Sequence, residues 1–178
     1  MRILKEYGST VGILIVGALI LAWQLNPPPH PLEGEIAPDF ELPQLGGETV
    51  RLAEHIGNDI VILDFWASWC PPCRKGLPMV ETVAEHFSEA SVVAYAINIR
   101  ESPGLVTKFV EEMKVNLPVL LDDTGIVADD YGVSMLPQTV IIDKAGKMAV
   151  IHSGVGLRFE SQLKSDVQAM LDGVVEAE

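Results

Sequence analysis

A chain of 178 residues accommodates one domain with some additional chain, and its 48% apolar content is enough for a substantial core. The formal net charge of -13 argues against a nucleic-acid partner, because neutralising phosphates takes clustered Lys and Arg. The acidic balance otherwise reads as solubility, and neither an internal repeat nor a low-complexity block is present.

The first 25 residues read as a membrane anchor. Arg2 and Lys5 precede an uncharged stretch from Tyr7 to Leu25, whose helix would be roughly 28 Å long, close to the hydrocarbon thickness of a bilayer. No Lys or Arg follows until Arg51, so the positive flank keeps the N-terminus in the cytoplasm and sends the rest across. A cleaved signal peptide is the competing reading. The span's length, and its run into Leu25-Asn26-Pro27 with no small-x-small site, favour an uncleaved anchor. Residues 26–38, NPPPHPLEGEIAP, hold five prolines and read as a stiff spacer, with His30 a solvated part of it. The folded domain is expected over 39–178.

Within the domain, strand and helix periods alternate. TVRL (49–52) follows a Gly46-Gly47 turn as one arm of a hairpin, and IVILDF (60–65) is the continuous apolar run of a strand covered on both faces. Leu77, Val80, Ala84 and Phe87 recur at helical spacing. A second buried strand covers 91–98. A helix over 103–114 follows, with Pro103 in its first turn, then a short strand at 118–122 and one or two helical turns at 125–131. A hairpin of 138–143 and 148–153 leads to a closing helix marked by Leu163, Val167, Met170 and Leu171. This order gives an α/β fold: a mixed sheet with helices on both faces.

Both cysteines lie in DFWASWCPPC, at 70 and 73. A stabilising staple is a poor reading, because closing so short a loop gains little entropy. A tetrahedral metal site needs four ligands, and with no second cysteine pair and with His55, His86 and His152 scattered, no metal is expected. A pair that follows a buried strand and opens a helix fits a working dithiol. There the orphan N–H groups and the helix dipole favour a thiolate, and Pro71 and Pro72 lose nothing by lacking N–H groups. A Cys-x-x-Cys beside a β-α-β pattern is a thioredoxin-like signature.

VILDFWASWCPPC resembles the active-site strand and motif of thioredoxins. Pro78 matches the proline of their active-site helix, and YGVSMLPQTVIID (131–143) resembles the loop carrying their cis-proline, here Pro137. Residues 37–73 are similar to the opening of the membrane-anchored TlpA/ResA/CcmG branch of the thioredoxin superfamily, and 99–131 would be that branch's helix-bearing insert. The resemblance implies a thioredoxin-like sandwich with an N-terminal β-hairpin, preceded by one transmembrane helix.

It also implies roles. Cys70 would be the exposed nucleophile and Cys73 the buried resolving thiol, a redox-active disulfide needing no other cofactor. Asp64, interrupting an apolar strand, would be a buried acid of raised pKa serving as base for Cys73; a buried acid with no catalytic part is the alternative. Pro137 would place the backbone at Leu136 beside the cysteines for an extended substrate. Trp66 and Trp69 would pack around the site, Trp69 adding contact surface, with Pro71, Pro72 and Pro78 as structural support. Two positions depart from the branch: Asp64 stands where many relatives carry asparagine, and Gly76 where many carry glutamate.

Pro71 and Pro72 offer a thiolate no donor, which argues for a reductant over a disulfide-donating oxidase. A reductant beyond the inner membrane needs a membrane electron donor of the CcdA or DsbD type. Family analogy makes apocytochromes c or copper-site proteins its clients. Three rivals fit less well. A peroxiredoxin shares the APDFEL-like opening but needs a proline ahead of its cysteine. A Sco-type copper protein uses a longer cysteine gap and a distal His, for which His152 is the candidate. A binding module with a relic motif would keep its function after Cys70→Ser. The full expectation is a single-pass protein of the bacterial cytoplasmic membrane with its catalytic domain in the periplasm or its equivalent.

Overall fold

The structure, a computed structural model, describes residues 12–18, 21 and 29–173. The chain divides into two units, Met1–His30 and Pro31–Glu178. In the first unit 12–18 and 21 are helical; most of the expected anchor, 7–25, lies outside the described residues. Among the described residues no helix is long and apolar enough to cross a membrane.

The second unit is built on a five-stranded sheet of order β5-β4-β3-β6-β7. Its strands are β3 (Ile60–Trp66), β4 (Val92–Ile99), β5 (Val119–Asp122), β6 (Gln138–Ile142) and β7 (Met148–Ser153). β3, β4 and β5 run parallel, whereas β6 pairs antiparallel with both β3 and β7. All seven residues of β3 are buried, as its unbroken apolar run requires of a central strand covered on both faces. Adjacent side chains on a strand point to opposite faces. Trp66 meets Phe109 of α2 (Pro103–Met113) on one face, with ring centroids 4.7 Å apart. Phe65 meets Tyr131, just after α3 (Ile126–Asp130), at 5.4 Å on the other. The remaining helices are α1 (Cys73–His86) and α4 (Phe159–Leu171), which pack together.

The N-terminal part of this unit covers both sheet edges, where unpaired N–H and C=O groups would otherwise invite another strand. In the turn between β1 (Glu41–Pro43) and β2 (Thr49–Arg51), which pair as a hairpin, Leu45 N–H donates to the Val119 carbonyl of β5 at 2.8 Å. At the other edge Gly34 N–H donates to Met148 O, and Met148 N–H to Glu35 O, both at 2.9 Å. Ala37 N–H donates to Gly146 O, and the Glu33 carboxylate accepts from Ile151 N–H of β7, both at 2.8 Å. This corrects the expected spacer over 26–38, because residues from Pro31 onward belong to the compact unit. The physical reason is local: residues 32–37 contain no proline, so Gly34 and Ala37 keep the N–H groups the edge uses.

Candidate active site

β3 ends at Trp66, and residues 67–72 carry the chain from the sheet to α1. Cys70 N–H donates to Ala67 O at 3.1 Å, closing a turn that brings the sulfur back over the helix start. α1 begins at Cys73, with Pro72 as its N-cap. The two sulfurs form a disulfide, and Cys73 N–H donates to Cys70 Sγ at 3.2 Å. An orphan amide of the helix start thus points at the first sulfur, the arrangement that favours its thiolate.

One expectation is corrected here. Cys70 is not exposed: only 2% of its surface is accessible, and Cys73 is wholly buried. Cys70 is reached instead through a groove of about 450 Å³. Trp69, Pro71 and Pro72 form part of the lining, with Val133 to Leu136, Ile99 and Arg100 completing it. Trp69 is 69% exposed and offers its ring at the groove mouth, while Trp66 is buried in the core against Phe109.

The Leu136–Pro137 peptide bond is cis, and the Pro137 carbonyl accepts from Gly154 N–H at 2.8 Å. Gln138 braces this loop by donating its side-chain amide to Tyr131 O at 3.3 Å. Gly76, the departure noted above, has a steric cause. A Cβ there would lie 2.9 Å from Val155 Cγ2 and in ordinary contact, 3.7 Å, with Pro137 Cγ, so a side chain at this position of α1 displaces that of Val155. Two residues further on, Pro78 sits inside α1 with no N–H for the preceding turn.

Asp64 is 1% exposed and faces Thr139 across the β3–β6 pair. Thr139 donates its hydroxyl to Asp64 Oδ1 at 2.7 Å, and Oδ2 has no partner among the described residues. Burial pushes the carboxyl up to about 7, a rise the Thr139 hydrogen bond opposes. A carboxyl poised there both takes and returns a proton near neutral pH.

Sequence reasoning passed over Thr139, Asn98, Arg100 and Glu101. The usable signal for the last three is position: they close or follow β4 at the carboxyl ends of parallel strands, where α/β sheets place their sites. No group of three or more His, Cys, Asp or Glu that could hold a metal occurs among the described residues. His55 is engaged by Asp59 at 2.9 Å and Tyr95 at 2.8 Å, and His152 by Asp166 at 2.8 Å.

A cysteine pair at the start of a helix, opposite a cis-proline on a mixed α/β sheet, defines a thioredoxin-like thiol–disulfide oxidoreductase. The chain belongs to the AhpC/TSA family, whose model matches residues 34–151. It is 38% identical to the thiol-disulfide oxidoreductase ResA of Bacillus subtilis over 122 residues, 68% of either chain. The thioredoxin-like protein YneN of the same organism is 36% identical over 138 residues, 76% of this chain and 79% of that one. A solved Chlorobium tepidum structure, designated thiol:disulfide interchange protein DsbE, superposes with a TM-score of 0.73 at 32% identity. It covers 78% of this chain and 97% of its own. The enzyme is a thiol–disulfide oxidoreductase of the ResA/DsbE type.

Proposed function

We propose that this enzyme is a membrane-anchored reductant of protein disulfides, working on the extracytoplasmic side of a bacterial cytoplasmic membrane. The observation that carries the exchange chemistry is the placement of Cys70: its sulfur receives the Cys73 amide and the residue lines the groove, while Cys73 is sealed behind it. The direction, toward reduction, rests on Pro71 and Pro72, which add no further N–H donor for a Cys70 thiolate. The apolar stretch of 7–25 with its positive N-terminal flank supports the anchor.

In the proposed reaction Cys70 thiolate attacks one sulfur of a client disulfide. That S–S bond breaks, a Cys70–client mixed disulfide forms, and the departing client sulfur takes up a proton. Asp64 then accepts the Cys73 thiol proton on Oδ2, the oxygen Thr139 leaves open. Cys73 thiolate attacks Cys70 Sγ, the mixed disulfide breaks, and the second client thiol is released. Two electrons have passed to the client, and the Cys70–Cys73 disulfide remains. A membrane donor of the CcdA or DsbD type returns it to the dithiol, the anchor keeping donor and domain at high effective concentration. Clients are proteins that must present reduced cysteine pairs, apocytochromes c among them, and they bind as an extended segment along Leu136 and Pro137 beside Trp69.

The reading is tested by the reduction potential of the pair, equilibrated against thiol buffers. A reductant should fall near the thioredoxin value of about -270 mV, whereas a value near the about -120 mV of DsbA would assign the protein to disulfide donation.

A further inference from the structure

Cys70 sits on a six-residue connection that makes few bonds of its own. Pro71 and Pro72 have no N–H, and Cys70 N–H turns back only to Ala67. The long-range tie on this connection comes from a side chain that takes no part in the reaction above. Glu101, 8% exposed, accepts from the Ser68 hydroxyl on Oε1 at 2.6 Å and from Ser68 N–H on Oε2 at 2.7 Å. Asn98 Nδ2 also donates to Oε2, at 2.7 Å. Asn98 is a fully paired position of β4, opposite Trp66 of β3. The sheet therefore holds Asn98, Asn98 holds the carboxylate, and the carboxylate grips Ser68 by both main chain and side chain. Only Trp69 separates Ser68 from Cys70.

The backbone is bent to make this possible. Arg100 adopts a left-handed conformation, φ 55°, which costs free energy for a residue with a Cβ and persists where its surroundings enforce it. Two contacts enforce it. Arg100 N–H donates to Asp122 O at 2.9 Å, and its guanidinium donates to both Asp129 oxygens at 2.8 Å. Arg100 thus leaves toward α3, while Glu101 beside it reaches the cysteine loop. A buried carboxylate is a poor way to add stability, since its desolvation offsets much of what its partners return. Three short charge-assisted bonds do fix a geometry.

We propose that Glu101 is a positioning residue for thiol–disulfide exchange: through Ser68 it holds Cys70 Sγ in line between an incoming client sulfur and Cys73. Exchange needs three sulfurs nearly in line, a constraint that a loop shifted by about 1 Å meets poorly. Capture of Cys70 by a small alkylating agent carries no such constraint. The inference rests on Cys70 being the attacking sulfur.

The test uses the full-length reduced chain and two probes, a disulfide-linked peptide and iodoacetamide, with Cys70→Ser as control. If Cys70→Ser still reduces the peptide, the reading of the pair itself fails, whatever Glu101 does. Otherwise Glu101→Ala should reduce the peptide at least about tenfold more slowly while iodoacetamide capture of Cys70 changes less than about threefold. Loss of fold would instead uncover the buried sulfur and speed its capture. Glu101→Gln should lose less than about threefold, because its amide oxygen accepts from Ser68 N–H and Asn98 while its nitrogen donates to the Ser68 hydroxyl. Wild-type peptide reduction in Glu101→Ala, or equal losses in Ala and Gln, would overturn the proposal. If Glu101→Ala does not fold, Ser68→Ala decides: slowing of peptide reduction with unchanged alkylation supports the tie, and wild-type behaviour refutes it.

Discussion

Thr139 and Asp64 stand opposite each other on β6 and β3, and the threonine hydroxyl donates to Asp64 Oδ1 at 2.7 Å in a site closed to solvent. That bond occupies one carboxyl oxygen. Oδ2, without a partner among the described residues, is left to carry the proton. The pair thus fixes both how tightly the acid holds its proton and from which oxygen the proton moves.

Removing the donor should change the first property. Thr139→Val keeps the shape but no longer stabilises the carboxylate, so the Asp64 pKa should rise by about one unit, the scale of a single hydrogen bond. Stopped-flow measurement of mixed-disulfide resolution against pH should show its midpoint displaced upward by that amount. An unmoved midpoint would remove Asp64 from the resolving step.

Stability should depend on pH through the same acid. In the folded chain Asp64 keeps its proton to about pH 7, whereas unfolded aspartate releases it near the ordinary 3.8. Between those values the folded state binds the extra proton, so its contribution is full below about pH 4 and is lost as pH rises through about 7. At about 1.4 kcal/mol per unit the loss is on the order of 4 kcal/mol. Asp64→Asn should be flat over this range and more stable than the parent at pH 8 in denaturant titrations. A parent and variant with parallel pH profiles would contradict the assignment.

Gly76 should resist the residue many relatives carry. A glutamate there brings its Cβ to 2.9 Å from Val155 Cγ2, so the Val155 side chain has to shift. Gly76→Glu should lose about 1–3 kcal/mol, the usual range for overpacking, and Val155→Ala should recover much of it. Additive losses in the double mutant would show that the two positions do not meet.

How much of this was legible beforehand can be judged residue by residue. IVILDFW announced a central strand because no polar face interrupts it, and Asp64 stood out for the same reason. The position of the cysteines at a helix start was legible, but the start itself was not. Two prolines suit either the first turn or the approach to it, and the helix begins only at Cys73. The burial of Cys70 was missed because side chains distant in sequence wall the groove. Glu101 was invisible for a related reason: a glutamate between a strand and a helix reads as solvated, and its partner Ser68 is 33 residues away. The edge-covering role of 32–37 was hidden under a proline-rich composition that belongs mainly to the residues before it.

That edge offers a direct check. A domain beginning at Pro31 should be monomeric, because Gly34, Glu35, Ala37 and Glu33 occupy the β7 edge. One beginning at residue 39 leaves that edge open and should unfold at lower denaturant and self-associate at high concentration. Sedimentation of the two forms tests this, and identical behaviour would show that the segment is dispensable.

The central claim, that the Cys70–Cys73 pair delivers electrons, is tested most directly in the native host. Cells are acid-quenched, free thiols are alkylated with a mass tag, and the labels on the protein are counted. A pool carrying mostly two labels is the predicted result, since it requires electrons supplied to the domain faster than clients and oxidants drain them. A pool with none would contradict the account and make the protein a donor of disulfides or a pair without a supply.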